Sequence, residues 1–307
     1  MVLYRPSQKD LLSKVELLKQ AVDHIILVDN TEEGTLWLSE NHPEAEKALN
    51  ITYFQPMKNL GIAAAQNMAL EYAFTYFDDD DKIIFFDQDS SISIDLPHRL
   101  AQAYDGLSIK HKIAAVGPSF VDEKKGFVYP QVSWNQIGSF QRFIPNAELS
   151  EQKTAALISS GMLTSIYTFK QVGVYDDALF IDYVDTDWCL KAQAKGFELY
   201  VIPSISMMHS IGAKSIKVFG RYFTVHSPLR RYYMIRNSFF MAKKEYVKPI
   251  LALTFICRTS LHHLLLILLD RHKKEHLRAL LKGLLDGYSN KIENHQLLSK
   301  CLKIKQK

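Results

Sequence analysis

Two spacings of apolar residues take turns along the first half of the chain. "VLY" (Val2–Tyr4), "HIILV" (His24–Val28), Ile51–Phe54, "KIIFF" (Lys82–Phe86) and "IAAVGP" (Ile113–Pro118) are short, dense apolar runs of strand length. Between them the spacing widens to that of helices. Leu11, Leu12, Val15, Leu18 and Ala21 mark one over Gln8–Ala21, and further helices are predicted near Thr35–Glu40, over "IAAAQNMALEYAFTYF" (Ile62–Phe77) and near Leu96–Tyr104. Strands alternating with helices predict an α/β protein whose mostly parallel sheet carries helices on both faces.

That topology sorts the acidic residues. In open α/β sheets ligands bind beyond the carboxyl ends of the strands. Asp29 and Asn30 follow "HIILV" at such an end, and Asp87-Gln88-Asp89 follow "KIIFF" at another. The run Asp78–Asp81 precedes its strand, so it belongs at the opposite edge and reads as a solvated turn. Past the first half, "TDWCLKAQAKG" predicts a helix ended by Gly196, with Asp185 placed to cap its start.

Composition changes the picture mainly through charge. The net charge of +4 is unevenly spread: Lys243–Lys307 carries 14 Lys and Arg against 5 Asp and Glu, leaving −5 on the remainder. A basic tail on an acidic body points to an anionic partner, with a solvated Lys-rich helix face as the plain alternative. The tail's apolar stretch "PILALTFICRTSLHHLLLILLDRHKK" is interrupted by Arg258, Thr259, Ser260, His262 and His263. It therefore predicts basic interfacial helices rather than an uninterrupted span of roughly 20 residues; a dimerisation or core-covering helix is the competing reading. Three scattered cysteines, Cys189, Cys257 and Cys301, argue against a disulfide framework or zinc site and suit a reducing cytoplasm. "MVLYRPSQKD" is too short and polar for a signal h-region, and its abrupt start in a strand leaves room for upstream residues.

The motifs "YRP", "LVDNTEEG", "NLGIAAAQN", "FFDQDS", "ISSGML", "FIDYVDTDWCLKAQAKG", "MMHSIG" and "HSPLRRYYMIRN" occur in this order between Val2 and Asn237. Together they resemble the inverting family 2 glycosyltransferases of the GT-A fold, and most closely the bacterial dTDP-rhamnosyltransferases. The resemblance implies a GT-A domain over 1–243, with a nucleotide-binding half of about 1–118 and an acceptor-binding half of about 119–243. The basic helical tail then covers 244–307. It also implies a dTDP- or UDP-sugar donor and a lipid-linked surface-glycan acceptor, of O-antigen or capsule. The enzyme would sit on the cytoplasmic face of a bacterial inner membrane, with no nucleic-acid partner.

Site residues follow from the same resemblance. Asp29 accepts the imide N–H of a uracil or thymine, Tyr4 packs on the ring, and Asn30 belongs to the same pocket. An Asx turn is the alternative for Asp29 and Asn30. Asn59, Gly61 and Asn67 support the donor through "NLGIAAAQN", although ordinary close packing accounts for its alanines. Asp87 meets the ribose and Asp89 a Mg²⁺ or Mn²⁺ ion on the diphosphate, a hard cation suited to oxygen ligands. His209 is the third ligand, or else a packed histidine. Asp185 is the base, with Asp187 supporting it, Trp188 flanking the acceptor, and Ser159, Ser160 and Gly161 beside the acceptor. Val184 replaces the family's usual glutamate, and Asp182 is the fallback base. Arg230, Arg231 and Arg236 clamp diphosphate, or else are surface arginines. Two rivals remain: a sugar-1-phosphate nucleotidyltransferase, whose Gly-rich, Arg-containing loop "YRPSQKDLL" lacks, and a non-catalytic glycan-assembly protein.

Overall fold

The computed structural model describes residues 1–33, 50–122, 126–208, 215–218, 221–270 and 272–302. The strands, in chain order, are β1 (Val2–Leu3), β2 (Ile25–Asp29), β3 (Ile51–Phe54), β4 (Lys82–Ile84), β5 (Ile113–Val121), β6 (Gln131–Trp134), β7 (Phe140–Phe143), β8 (Gln152–Thr154), β9 (Leu163–Ser165), β10 (Glu198–Met208), β11 (Ser215–Val218) and β12 (Arg221–Thr224). The helices are α1 (Gln8–Leu18), α2 (Gly61–Tyr76), α3 (Leu96–Ser108), α4 (Ile166–Val172), α5 (Val184–Ala194), α6 (Pro228–Ala242), α7 (Pro249–Leu269), α8 (Lys273–Ser289) and α9 (His295–Cys301). The helix expected near Thr35–Glu40 lies outside the described residues.

The described chain divides into two compact units. One comprises Met1–Ser133, Arg142–Asp177 and Asp185–Ser210; the other comprises Trp134–Gln141, Ala178–Val184 and Ile211–Lys307. In the first, β1, β2 and β3 form a parallel sheet in the order β1-β2-β3, and a second sheet runs β4-β9-β5-β10-β8. A parallel bridge between Val2 and Asp87 joins them just past β4. The sheet is less parallel than the spacing predicted. β9 runs antiparallel between β4 and β5, and β8 antiparallel beside β10, while β5 and β10 are parallel. Leu3, Leu27, Val116, Leu163 and Ile202 from these strands meet Leu11, Val15 and Leu18 of α1 and Leu100 of α3 in one apolar core.

Asp78–Asp81 form an exposed turn ahead of β4, as their position predicted. The Asp81 carboxylate accepts the Asp78 amide, and Asp79 pairs with Lys170.

In the second unit α6, α7 and α8 pack on one another. α6 opens on Ser227, whose side chain accepts the Arg230 amide, with Pro228 pre-set for the first turn. Gly283 and Gly287 of α8 face α6 so closely that an added Cβ would stand 3.0 Å from the Tyr232 carbonyl or 3.1 Å from that of Arg236. α7 corrects one expectation. It runs unbroken for 21 residues and is long and apolar enough to cross a membrane by length and composition. The polar residues do not break it, because Thr259 and His263 fall on its buried side, where Thr259 meets Tyr183 and His263 the His276 carbonyl.

Candidate active site

The β2 end is built by side chains that substitute for missing helix-capping groups. The Asn30 amide side chain donates to Asn59 Oδ1 (3.1 Å) and the Gly61 carbonyl (3.2 Å), while its oxygen accepts the Leu60 amide at 2.7 Å. Asn59 Oδ1 also accepts the Gly61 amide at 2.9 Å. Two of the first amides of α2 are thus satisfied from outside the helix, which otherwise has no side-chain cap. Gly61 takes φ +79°, a left-handed conformation that suits glycine. Asn30, Asn59 and Gly61 therefore act together to aim a helix start at the strand ends, where its free N–H groups favour an anion.

Asp29 is fully buried beside them. Its Oδ1 accepts the Thr31 amide and its Oδ2 the Tyr53 hydroxyl at 2.8 Å. The Asx turn is present. Tyr4 is exposed at the same edge, and its hydroxyl donates to Glu32. Burial, followed by the Glu32 charge, pushes its phenol up.

Asn67 is placed elsewhere, which corrects its donor-supporting role. It lies buried in the second turn of α2, with its amide on the Tyr175 carbonyl and Asp177 Oδ1 and its oxygen on the Tyr175 amide. It braces a segment more than 100 residues away in sequence, and its polar atoms are spent on that.

The Asp87-Gln88-Asp89 turn leaves β4 at the end that the apolar run predicted. Gln88 hydrogen-bonds both the Tyr4 amide and carbonyl, tying the turn to the end of β1. Lys14 of α1 donates to the Gln88 carbonyl between the two aspartates. Burial lowers the Lys14 ammonium from its usual range, and Asp89, Asp10 and Asp87 oppose that shift. Asp89 is exposed at the tip of the turn. A hard-oxygen donor of this kind fits Mg²⁺ or Mn²⁺. Among the described residues no three His, Cys, Asp or Glu side chains converge as a metal cluster. His209 lies outside the described residues, although β10, which ends one residue before it, bridges Met208 to Ser91.

The serine turn lies against this one. Ser160, fully buried, shares a hydrogen bond with Ser90 and faces the Asp87 amide at 3.5 Å. Gly161 donates its amide to the Phe85 carbonyl at 2.6 Å. On the other side the Ser159 amide donates to Asp185 Oδ2 at 3.3 Å, and Asp185 Oδ1 accepts the Thr186 amide at 2.8 Å. Asp185 is half-buried at the first turn of α5. Its charge adds to the burial that pushes up the Tyr175 hydroxyl and the Cys189 thiol.

Two further roles need correction. Trp188 is fully buried, its indole N–H on the Gly173 carbonyl and its ring 4.6 Å from that of Phe169. It anchors α5 in the core and does not flank an acceptor, because one turn of helix carries it to the face opposite solvent. Asp187, in the first turn of α5, is also wholly buried. Arg236 is no diphosphate clamp. It is buried, and its guanidinium serves the Ala178 and Leu179 carbonyls and Asn237.

Asp182, the fallback base, is engaged by Arg230 through both carboxylate oxygens, with the shortest contact at 2.9 Å. Lys14, Gln88, Ser90 and Tyr53 join the site without standing out in the sequence. For Lys14 a signal existed, since it lies three residues beyond Leu11 and so next to the buried face of α1. A cavity of about 520 Å³ lined by His24, Phe77, Asp80, Asp81 and Lys82 opens beside the turn preceding β4, at the wrong end of that strand for this site.

No family model matches the chain. A dTDP-rhamnosyl transferase, RfbF of Shigella flexneri, is 34% identical over 287 residues, 94% of this chain and 93% of that protein. Among solved structures, residues 1–349 of S. aureus TarS in complex with UDP-GlcNAc superpose with a TM-score of 0.56 at 12% identity, over 98% of this chain and 82% of that one. GalNAc-T7 with UDP, GalNAc and Mn²⁺ gives 0.53 at 14% identity, over 84% of this chain and only 53% of the longer protein. The two structures share the fold. The identity to RfbF across nearly the whole of both sequences shows the rest: the chain belongs to the family of bacterial dTDP-rhamnosyltransferases, and it is a GT-A-fold glycosyltransferase that uses a nucleotide-sugar donor.

Proposed function

We propose that this enzyme transfers L-rhamnose from dTDP-rhamnose, with inversion and with the help of a divalent cation, to a hydroxyl of a lipid-linked O-antigen or capsule precursor. The transfer would take place at the cytoplasmic face of the inner membrane. The observation that carries the reading is the serine turn 159–161. It is tied on one side to the Asp87–Ser90 turn through Ser160 and Phe85, and on the other to Asp185 through the Ser159 amide. Donor-side and acceptor-side carboxylates thus share one rigid support.

In this reading a lone pair of Asp29 takes the thymine imide, Tyr4 stacks on the ring, and Asp87 meets the ribose. Asp89, with His209, would hold Mg²⁺ or Mn²⁺, which when bound offsets charge on the departing diphosphate. The α2 start, fixed by Asn30, Asn59 and Gly61, favours the same anion. Asp185 takes the proton of the acceptor hydroxyl as that oxygen bonds to the sugar carbon. Two amides hold its carboxylate still for the task. Asp182 is a poor rival because Arg230 engages both its oxygens.

The test compares two isosteric variants by dTDP calorimetry and by transfer from dTDP-rhamnose. Asp89→Asn should lose metal-dependent nucleotide binding together with transfer. Asp185→Asn should keep nucleotide binding while transfer falls by about 10²–10⁴-fold, the usual contribution of a general base. An Asp185→Asn enzyme near full activity would remove Asp185 from the mechanism. A chain that bound purine and pyrimidine diphosphates equally would remove the Asp29 pocket.

A further inference from the structure

The tail helices carry apolar residues on both their buried and their exposed sides. Along α7, Ile250, Leu253, Cys257, Leu261, Leu264 and Leu268 recur at steps of three and four, so they form one stripe. That stripe faces outward, its leucines and isoleucine 45% to 70% exposed. The opposite side buries Thr259 and His263 together with Leu251, Ala252 and Leu266. α8 repeats the exposed stripe, although Ala279 and Leu280 are among its buried residues. Leu277, Leu281, Leu285 and Tyr288 are exposed, the last two at 68% and 81%, while His276 and Asp286 are buried, with Asp286 accepting the Tyr232 hydroxyl at 2.8 Å. A helix that only covers a water-soluble core keeps its outer face polar. Exposed Arg258, Lys273, Lys274 and Arg278 lie among these leucines, within a segment of net charge +9.

We propose that the outer faces of α7 and α8 dock into the headgroup region of an anionic lipid bilayer. The inference deepens the reading of a membrane-borne acceptor by naming the surface that meets the membrane. Charge selects the occupant: a second copy would set one +9 segment against another, whereas anionic lipid attracts it. The packing selects the geometry. At 21 residues α7 is long enough to span, but only one of its sides is free, and the other is packed within the unit, where Thr259 bonds Tyr183 and His263 the His276 carbonyl. An in-plane helix uses one side; a spanning helix exposes its whole circumference.

The experiment floats the full chain with vesicles of phosphatidylethanolamine and phosphatidylglycerol, and separately with neutral phosphatidylcholine. Binding should favour the anionic vesicles, and high salt should weaken it. The triple variant Leu253→Gln, Leu264→Gln, Leu268→Gln changes only exposed positions, so its melting temperature should match the parent, while vesicle binding should fall at least about tenfold. Failure of the parent to float with anionic vesicles, or unchanged binding by the triple variant, overturns the proposal. So does a parent dimer that the triple variant dissociates in sedimentation, because the stripe would then meet a second copy. Flotation needs no donor sugar. A chain that floats yet releases no nucleotide from any sugar donor would refute the enzymatic reading and leave the docking surface standing.

Discussion

Replacing Gly161 with alanine tests whether the serine turn is a rigid support. Gly161 has φ +77°, and a Cβ built there would lie 2.9 Å from Pro118 Cγ, 3.0 Å from Pro118 Cδ and 3.4 Å from Met207 Sδ. The left-handed conformation costs an alanine roughly 1–2 kcal/mol. Crowding a ring that belongs to β5 adds about 1–3 kcal/mol, because a proline in a strand cannot rotate away as a flexible side chain would. The smaller unfolded-state entropy of alanine returns roughly 0.4–1 kcal/mol. The expected loss is therefore about 1–4.5 kcal/mol, read as a lowered urea midpoint. Gly106 supplies the control. It lies in α3 with no positive φ, and a Cβ added there meets nothing within 4 Å, so Gly106→Ala should be neutral or stabilising. Because the Gly161 amide bonds Phe85 just ahead of the Asp87 turn, nucleotide affinity should fall along with stability. Should Gly161→Ala unfold at the same urea concentration as Gly106→Ala, the turn is not constrained as the geometry requires.

Two further outcomes concern the second unit. Burial, and then the nearby Arg231, push His262 down to about 4; burial, with Arg231, His276 and His262, does the same to His263, against its bond to the His276 carbonyl. Unfolded histidines titrate near 6.5, so below that value the unfolded chain binds more protons. Stability should be full above about pH 6.5 and decline as the pH falls from there toward about 4, with a slope of at most about 1.4 kcal/mol per pH unit from fully buried His263. Hydrogen exchange of α7 and α8 at about pH 7.5 and about pH 5.5 should show it, and equal protection at both values would contradict the neutral, buried state. Asn237→Ala removes a side chain that donates to the Leu179, Ile181 and Asp182 carbonyls, and should cost roughly 2–4 kcal/mol. Transfer should drop more than dTDP affinity does, and a parallel loss of both would argue that Asn237 acts only on global stability.

The strand ends were legible because a dense apolar run and the residue type that follows it are both local facts. Asp87 and Asp89 needed only the position of β4, and the same reasoning dismissed Asp78–Asp81. Asn30, Asn59 and Gly61 were legible because Asn30 directly follows β2 and the other two stand at the start of α2. Trp188 and Asn67 were illegible for the opposite reason. Whether a residue one turn into a helix faces the site or the core depends on which side of the sheet the helix covers, and that is settled by β5, β9 and β10. β9 and β8 are three residues each, too short to give a period, and their antiparallel insertion follows from long-range pairing. The tail misleads through its polar residues. Arg258, Thr259 and His263 look like interruptions of an apolar helix, and only the packing shows that Thr259 and His263 are turned inward.

The stretch from Ala178 to Val184 shows how far motif and mechanism can be separated. Phe180, Asp182 and Tyr183 all have positive φ without being glycine, each a conformation that costs of order 1–3 kcal/mol. Nothing in "FIDYV" predicts that. The explanation lies in "RN" some 55 residues later, where Arg236 and Asn237 together bind the Ala178, Leu179, Ile181 and Asp182 carbonyls, and Arg230 holds the Asp182 carboxylate. Arg230 and Arg236 of "HSPLRRYYMIRN" therefore have a structural role that a diphosphate-clamp reading overlooks. They hold an unfavourable backbone path in the residues that lead directly into Asp185. Strain held by so many hydrogen bonds is a means of fixing the chain. The same bonds explain why Asp182, despite its place in an acidic motif, is spent on holding the chain. Asp185 differs in kind: its carboxylate accepts two backbone amides at a helix start, which orient it.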